Sequence, residues 1–508
     1  MSTDRSNSSD NLGKVASGAG VLLPATLVGT VLLLVHDMMV NGSLSTEEYG
    51  LYATCKRVLQ IGFILSFLGL ENAVIHYVAR FRATGDRSSA IQSWRVSQAW
   101  SLGFSGVLAG CLVLFAHPIA GLFGEGAEAP TLLPWALRVL AVCLPLASIR
   151  MMTTSASQGM LVMWPKAVIL WVLWPALNIA GVLAFTVYGG RGLEGVLWAY
   201  DLSMFAGAIL GLWSLHRIDK SIFAGNHRGE VDKSALWAFA APLWVYTLVN
   251  GIYAWMDQLL LAGMEGMEEA GIYAPVATLA PLFPIGLMAL NGIFAPVISG
   301  LHARGETAEL ERLYKLVARW SLILGLPVCV GALVAPEMVI SVWPEGRVAA
   351  APALQIVAIS MIFPTAVGSV NFMLIMSGNQ KAVLWNGIPG IFVNLGLALW
   401  LIPELGVRGA AIANGGALIS ISIIACLQVR SLLGMTPFSL EMWKPFAAAV
   451  PAFAAGTLAA NQLESIGGIL GVAGVGVAVG LSYVAVLFLV GFSESDKEML
   501  QRFRRRRS

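Results

Sequence analysis

The sequence predicts an all-α polytopic membrane protein of fourteen transmembrane helices, built as two six-helix lobes (helices 1–6 and 7–12) related by a pseudo-twofold along the membrane normal, with helices 13 and 14 added. Three observations predict it. The first is composition: the 508 residues are 57% hydrophobic and only 12% charged, with a mean hydropathy of +0.76, which lies outside the range of soluble domains. The second is that apolar runs of about 20 residues or more alternate with short polar patches, each run long enough to cross the ~30 Å hydrocarbon layer as a helix. Strand-built barrels would alternate polar and apolar residues, whereas Leu102–Phe115 and Val472–Val490 are apolar on every face. The third is an internal repeat.

The apolar runs place helices at about 15–40, 48–79, 92–117, 131–158, 165–188, 194–216, 235–262, 270–300, 313–335, 351–377, 381–402, 407–430, 444–461 and 468–491. An even number puts both termini on one side, and the basic residues choose which. With both ends cytoplasmic, twenty-four of the 31 Lys and Arg fall inside, three (Arg191, Arg347 and Arg408) fall outside, and Lys56, Arg57, Arg138 and Arg150 remain at membrane depth. Residues 1–13 read as a disordered cytoplasmic tail, 14–220 as the N-lobe, 221–234 as a cytoplasmic inter-lobe linker, 235–432 as the C-lobe, 433–492 as helices 13–14, and 493–508 as a basic cytoplasmic tail suited to anionic lipid. The first apolar run lacks a small-residue cleavage pattern, so no secretory signal is expected. Five scattered cysteines show no metal or disulfide spacing and read as packing residues.

The repeat is clearest at 47–57, where Glu47-Glu48-Tyr49-Gly50-Leu51-Tyr52-Ala53 leads to Lys56-Arg57. At 268–274 the chain reads Glu268-Glu269-Ala270-Gly271-Ile272-Tyr273-Ala274. Further pairs are Pro24 with Pro242, Asp37 with Asp257, Arg82…Gly85-Asp86 with Arg304-Gly305-Glu306, Lys166 with Lys381, Asn178 with Asn394, and Gly192-x-x-Gly195 with Gly406-x-x-Gly409. The cations do not recur: Ala277 and Thr278 stand where Lys56 and Arg57 would be.

No soluble catalytic domain fits between such short loops, and the chain carries no phosphate-binding loop, metal-ligand cluster or catalytic triad spacing, so an enzyme is not expected. The glycines at 467–480 read as a helix-packing surface rather than a nucleotide loop. Ionisable groups within the membrane cost about 2.5–3.5 kcal/mol each on insertion scales and so face a cavity or a partner. The candidates for binding an anionic substrate are Arg57, Lys56, Arg150 and Arg138, expected to line a cleft between the lobes, with Arg138 near the outer edge; arginine's planar fork suits phosphate. The alternative is that Lys56 or Arg57 pairs with Asp37 or Asp257 to hold helices together. Asp257, Asp37 and Asp201 are candidates for Na⁺ or H⁺ coupling, or for structural counter-ions, and His36 could join a proton relay. Prolines at 24, 145, 175, 242, 275, 281, 284, 364 and 389 mark kinks.

Taken together, Lys14…Gly18-Ala19-Gly20, Glu48-Tyr49-Gly50-Leu51-Tyr52, Leu68-Gly69-Leu70…Ala73, Arg82…Gly85-Asp86, Asp257…Gly271-x-Tyr273-x-x-Val276 and Gly378-x-x-Lys381 resemble the polysaccharide-unit (O-antigen) flippases, Wzx type, of the multidrug/oligosaccharidyl-lipid/polysaccharide (MOP) exporter superfamily. The resemblance covers most of the chain. It implies a V-shaped pair of lobes and alternating access, moving an undecaprenyl-pyrophosphate-linked oligosaccharide from the inner to the outer leaflet of the bacterial inner membrane. It implies no cofactor, no nucleic-acid partner, contact with membrane lipids, and polysaccharide polymerase or export machinery as further partners. Lys56 and Arg57 match the cavity cations that hold pyrophosphate or acidic sugars in such flippases. Lipid II flippases of the same fold use cavity arginines on helices 1 and 8, where this sequence has His36-Asp37 and Asn291. A cation-coupled multidrug exporter is the other same-fold alternative.

Overall fold

The computed structural model describes residues 24–123, 129–223, 229–343 and 347–491. The expected tails at 1–13 and 493–508, and the start of the first helix, lie outside the described residues. Among the described residues, fourteen helices are long and apolar enough to span a membrane: α1 (Pro24–Ser43), α2 (Thr46–Ala83), α3 (Arg87–Leu114), α4 (Leu132–Gly159), α5 (Trp164–Val187), α6 (Gly192–Ile218), α7 (Lys233–Met264), α8 (opening at Met267–Met288), α9 (Thr307–Val334), α10 (Arg347–Met376), α11 (Lys381–Leu405), α12 (Val407–Leu433), α13 (Leu440–Leu463) and α14 (Gly468–Val490). The protein is a multi-pass membrane protein, and its span count is the one the hydropathy predicts.

Local chemistry sets the helix ends. Ser45 opens α2 with a capping box: its hydroxyl accepts from the Glu48 N–H at 3.2 Å, while Glu48 accepts from the Ser45 N–H at 2.9 Å. The turns after α2 and after α8 are the same motif twice. Gly85 and Asp86 donate to the carbonyls of Arg82 and Phe81 at 3.1 and 2.9 Å, and Gly305 and Glu306 donate to those of His302 and Leu301 at 3.0 and 3.1 Å. Both glycines have positive φ, 78° and 71°, as this helix-ending motif requires. The repeat read from sequence is therefore a repeat of hydrogen bonds.

The acid pairs are also used alike. A Cβ on Gly192, which opens α6 at φ 51°, would lie 3.7 Å from Glu48; a Cβ on Gly406, before α12 at φ 53°, would lie 3.7 Å from Glu269. Each carboxylate thus sits at a helix N-terminus, where unpaired N–H groups favour negative charge.

Two helices break internally, one of them where prolines signal it in the sequence. Helix α2 divides into Thr46–Phe67 and Leu70–Ala83 around Leu68 and Gly69, both at positive φ. A side chain at Gly69 would collide with the Ala240 carbonyl at 2.4 Å, and the carbonyl of Ile64 is taken up by the Trp244 indole N–H at 3.0 Å. Helix α8 instead breaks after Met267–Leu279 through a 3₁₀ turn at Ala280–Leu282 and resumes at Ile285–Ala303, where Pro281 and Pro284 remove backbone donors.

The chain forms two compact units, the first comprising Met1–Ile252 with Gly266–Glu268, the second Tyr253–Glu265 with Glu269–Ser508. The division falls inside α7. Of the stretch predicted as a linker, Gly229 rests against the backbone of Ser88. In the first unit, Leu70, Val74, Ile91, Trp94, Met152, Leu215 and Ala240 form a buried core. In the second, α13 and α14 pack their Ala448, Ala452, Val475 and Val479 against Leu322, Leu326 and Val330 of α9. Lipid is as apolar as these side chains, so close fit rather than water exclusion holds the helices.

Candidate functional site

In the first unit the predicted residues cluster around Asp37 of α1, which is 3% exposed. The Tyr49 hydroxyl, one turn into α2, donates to Asp37 Oδ2 at 2.8 Å, and Lys56 Nζ stands 3.8 Å from Asp37 Oδ1. Tyr52, between them on the same helix face, lies beneath Lys56, whose ammonium is 5.9 Å from the ring centre, and 6.5 Å from the His36 ring. Its hydroxyl is buried and has no hydrogen-bond partner among the described residues. Asn178 of α5 stands beside His36. Of the two sequence alternatives for Lys56, the geometry contains the pairing with Asp37. That pairing is a loose one, for 3.8 Å exceeds hydrogen-bond length and Lys56 is half-buried rather than sealed.

Arg57 points elsewhere, donating from Nη1 to Gln60 Oε1 at 2.9 Å. Arg150 of α4 is buried, its guanidinium 5.3 Å over the ring of Trp174. Asp201 of α6 accepts from the Cys143 thiol at 2.8 Å. Arg138 does not join the cluster: it is exposed, and its Nε donates to the Val113 carbonyl at 3.3 Å. Among the described residues no three His, Cys, Asp or Glu side chains gather as metal ligands would.

The second unit holds the counterpart without the cations. Asp257 is buried and accepts from the Tyr273 hydroxyl at 2.6 Å; Asn394, twin of Asn178, donates to the Tyr253 carbonyl at 3.3 Å. Tyr273 is the repeat partner of Tyr52, not of Tyr49. The two carboxylates are thus served by tyrosines from different repeat positions, which pattern matching could not foresee.

Two further charges escaped the sequence reading. Glu71 sits just beyond the α2 break, one oxygen accepting from Asn72 at 3.0 Å and the other buried, with Lys166 as its charged neighbour. Arg319, counted with the cytoplasmic basic residues, is 5% exposed and lies about 18 Å into α9 at 1.5 Å per residue. Its distance from the helix end was the available signal. Outside the spans, partial burial pushes the Asp219 carboxyl up, but hydrogen bonds from Arg87 and Ser221 outweigh it and hold it below the usual range.

The fold is that of MOP-superfamily transporters. An inward-facing multidrug resistance MATE family transporter of the MOP superfamily matches with a TM-score of 0.69 at 17% identity, covering 82% of this chain and 98% of that one. Lipid II flippase MurJ in an inward closed conformation matches with a TM-score of 0.69 at 12% identity over 92% and 97%. A MOP superfamily transporter from Pyrococcus furiosus Vc1, described as having a binding pocket of reverse polarity, matches with a TM-score of 0.59 at 18% identity over 82% and 95%. No curated protein sequence matches the chain. A family model for polysaccharide biosynthesis proteins matches residues 15–302, more than half of the chain, and with this match the chain belongs to the polysaccharide biosynthesis protein family.

Proposed function

We propose that the protein is a flippase carrying an undecaprenyl-pyrophosphate-linked oligosaccharide, a polysaccharide repeat unit, from the inner to the outer leaflet of the bacterial inner membrane by alternating access. The distribution of basic residues supports cytoplasmic termini. The observation that carries the reading is the unrepeated Lys56-Arg57 pair, held at membrane depth in a polysaccharide biosynthesis family member. Lys56 is only loosely held by Asp37, at 3.8 Å, so a pyrophosphate offering short charge-assisted hydrogen bonds competes well for it. Asp37 keeps the Tyr49 hydroxyl when Lys56 turns away, so the carboxylate is not stranded. Arg57, one residue on, supplies a two-pronged donor. Arg138 takes no part, since it is exposed and engaged with a carbonyl of α3. Transport needs no covalent step by this chain, and Asp37, Asp201 or Asp257 would carry any Na⁺ or H⁺ coupling.

Deleting the gene in its host and assaying the sidedness of lipid-linked oligosaccharides tests the proposal. Accumulation on the inner leaflet is expected, whereas unchanged sidedness sinks it. Arg57→Ala should abolish rescue at normal membrane levels of the protein, and Arg57→Lys should retain part of it. Full rescue by Arg57→Ala would leave Arg57 a purely structural role.

A further inference from the structure

Arg150 is 8% exposed, on α4, about 14 Å from the Gly159 end at 1.5 Å per residue. Among the described residues no Asp or Glu pairs with it, and Asp201 takes its bond from Cys143 instead. A buried charge without a counter-charge costs several kcal/mol even after relaxation, so the fold retains something that offsets this. The stack on Trp174, at 5.3 Å, supplies a part. The rest of the surroundings call for an acceptor: among the described residues neither Arg150 Nε nor Trp174 Nε1, both buried donors, has a partner. Trp174 is brought there by the wide π-turn Ala167–Leu173 that precedes it, a departure from α geometry frequent at functional sites. Space beside the side chain is tight, since a Cβ on Gly207 would lie 2.8 Å from Arg150 Cδ. A sugar-borne acid would have to bring its ring to a side chain packed between helices, while a bare ion would not.

We propose that Arg150 holds a small inorganic anion of chloride size inside the first unit, with the Trp174 indole N–H as second donor. The site does not depend on the flippase reading, because it is filled in the resting protein without substrate. Thermal unfolding of the purified full chain, in chloride and in gluconate at matched ionic strength, tests it. Binding to the folded state alone raises Tm along a saturating curve. That rise is expected for the wild type, weakened in Trp174→Phe, absent in Arg150→Gln and retained in Arg138→Gln. Equal Tm in chloride and gluconate would overturn the proposal, as would a full chloride response in Arg150→Gln. A response to inorganic pyrophosphate but not to chloride would overturn it too, assigning Arg150 to the substrate's head group. Should Arg150→Gln fail to fold, chloride-35 NMR of the wild type decides: line broadening reversed by bromide is expected, and its absence refutes the site.

Discussion

Leu161 closes α4 at φ 61°, a left-handed conformation that its repeat counterpart reaches with Gly378 at φ 83°. The hydrogen bonds are the same in both places: Leu161 and Val162 donate to Gln158 and Ser157, each at 2.9 Å, and Gly378 and Asn379 donate to Ile375 and Leu374 at 3.2 and 2.8 Å. An L-residue there costs about 1–2 kcal/mol, of which glycine's greater freedom when unfolded returns about 0.5–1 kcal/mol. With its side chain 42% exposed, Leu161 gains little packing in exchange. Leu161→Gly should therefore stabilise the protein by up to about 1 kcal/mol in thermal unfolding. A lower Tm would mean that the leucine side chain is worth more than the strain. Nothing in the sequence flagged the position, because a leucine before Val162 and Met163 looks like one more apolar residue. The left-handed turn became visible only beside its glycine twin.

At the scale of elements, the helices were legible because a membrane span needs length and apolarity, and both are written along the chain. Their internal breaks were less so. The α8 break carries Pro281 and Pro284, whereas α2 breaks at Leu68-Gly69 without proline and α5 widens into π-turns at Ala167–Leu173 and Leu183–Val187, geometry set by neighbouring helices. One contact between elements is open to test by pH. Arg87 at the start of α3 donates from Nε to Asp219 Oδ2 at 3.0 Å, just past α6. Asp219's folded pKa lies below its usual value, so the stabilisation is present at neutral pH and is lost as pH falls through the folded pKa. Arg87 is 64% exposed, so solvent screens the pair and its contribution is small. Asp219→Asn should lower Tm slightly at neutral pH, and the gap from wild type should close in acid. A gap unchanged by acid would show that the loss comes from Ser221 packing rather than from the charge.

Over the whole molecule, the repeat gives each half an aspartate and a tyrosine, yet the halves spend them differently. Tyr273 bonds Asp257 at 2.6 Å, while among the described residues the hydroxyl of its counterpart Tyr52 has no hydrogen-bond partner and Asp37 is bonded by Tyr49. Removing a hydroxyl that serves a buried carboxylate costs about 1.5–3 kcal/mol, whereas removing one that is buried and unbonded is neutral or better. Tyr273→Phe should therefore destabilise by that amount, and Tyr52→Phe should not. Equal losses in chemical denaturation of the two variants would show that Tyr52 has a partner after all. The aspartates, the tyrosines and the extra cations were all readable in the sequence. Which tyrosine reaches which carboxylate was not, since Tyr49 and Tyr52 share a helix face and only the helix rotation against α1 chooses between them.

That division separates what the halves hold in common from what only one holds. An aspartate and the tyrosine of positions 52 and 273 are shared, whereas Tyr49, Lys56 and Arg57 have no counterpart in the second half. A half with two tyrosines on the helix face that meets its aspartate has a redundancy, and redundancy lets the residues around that carboxylate vary without first costing the protein its fold.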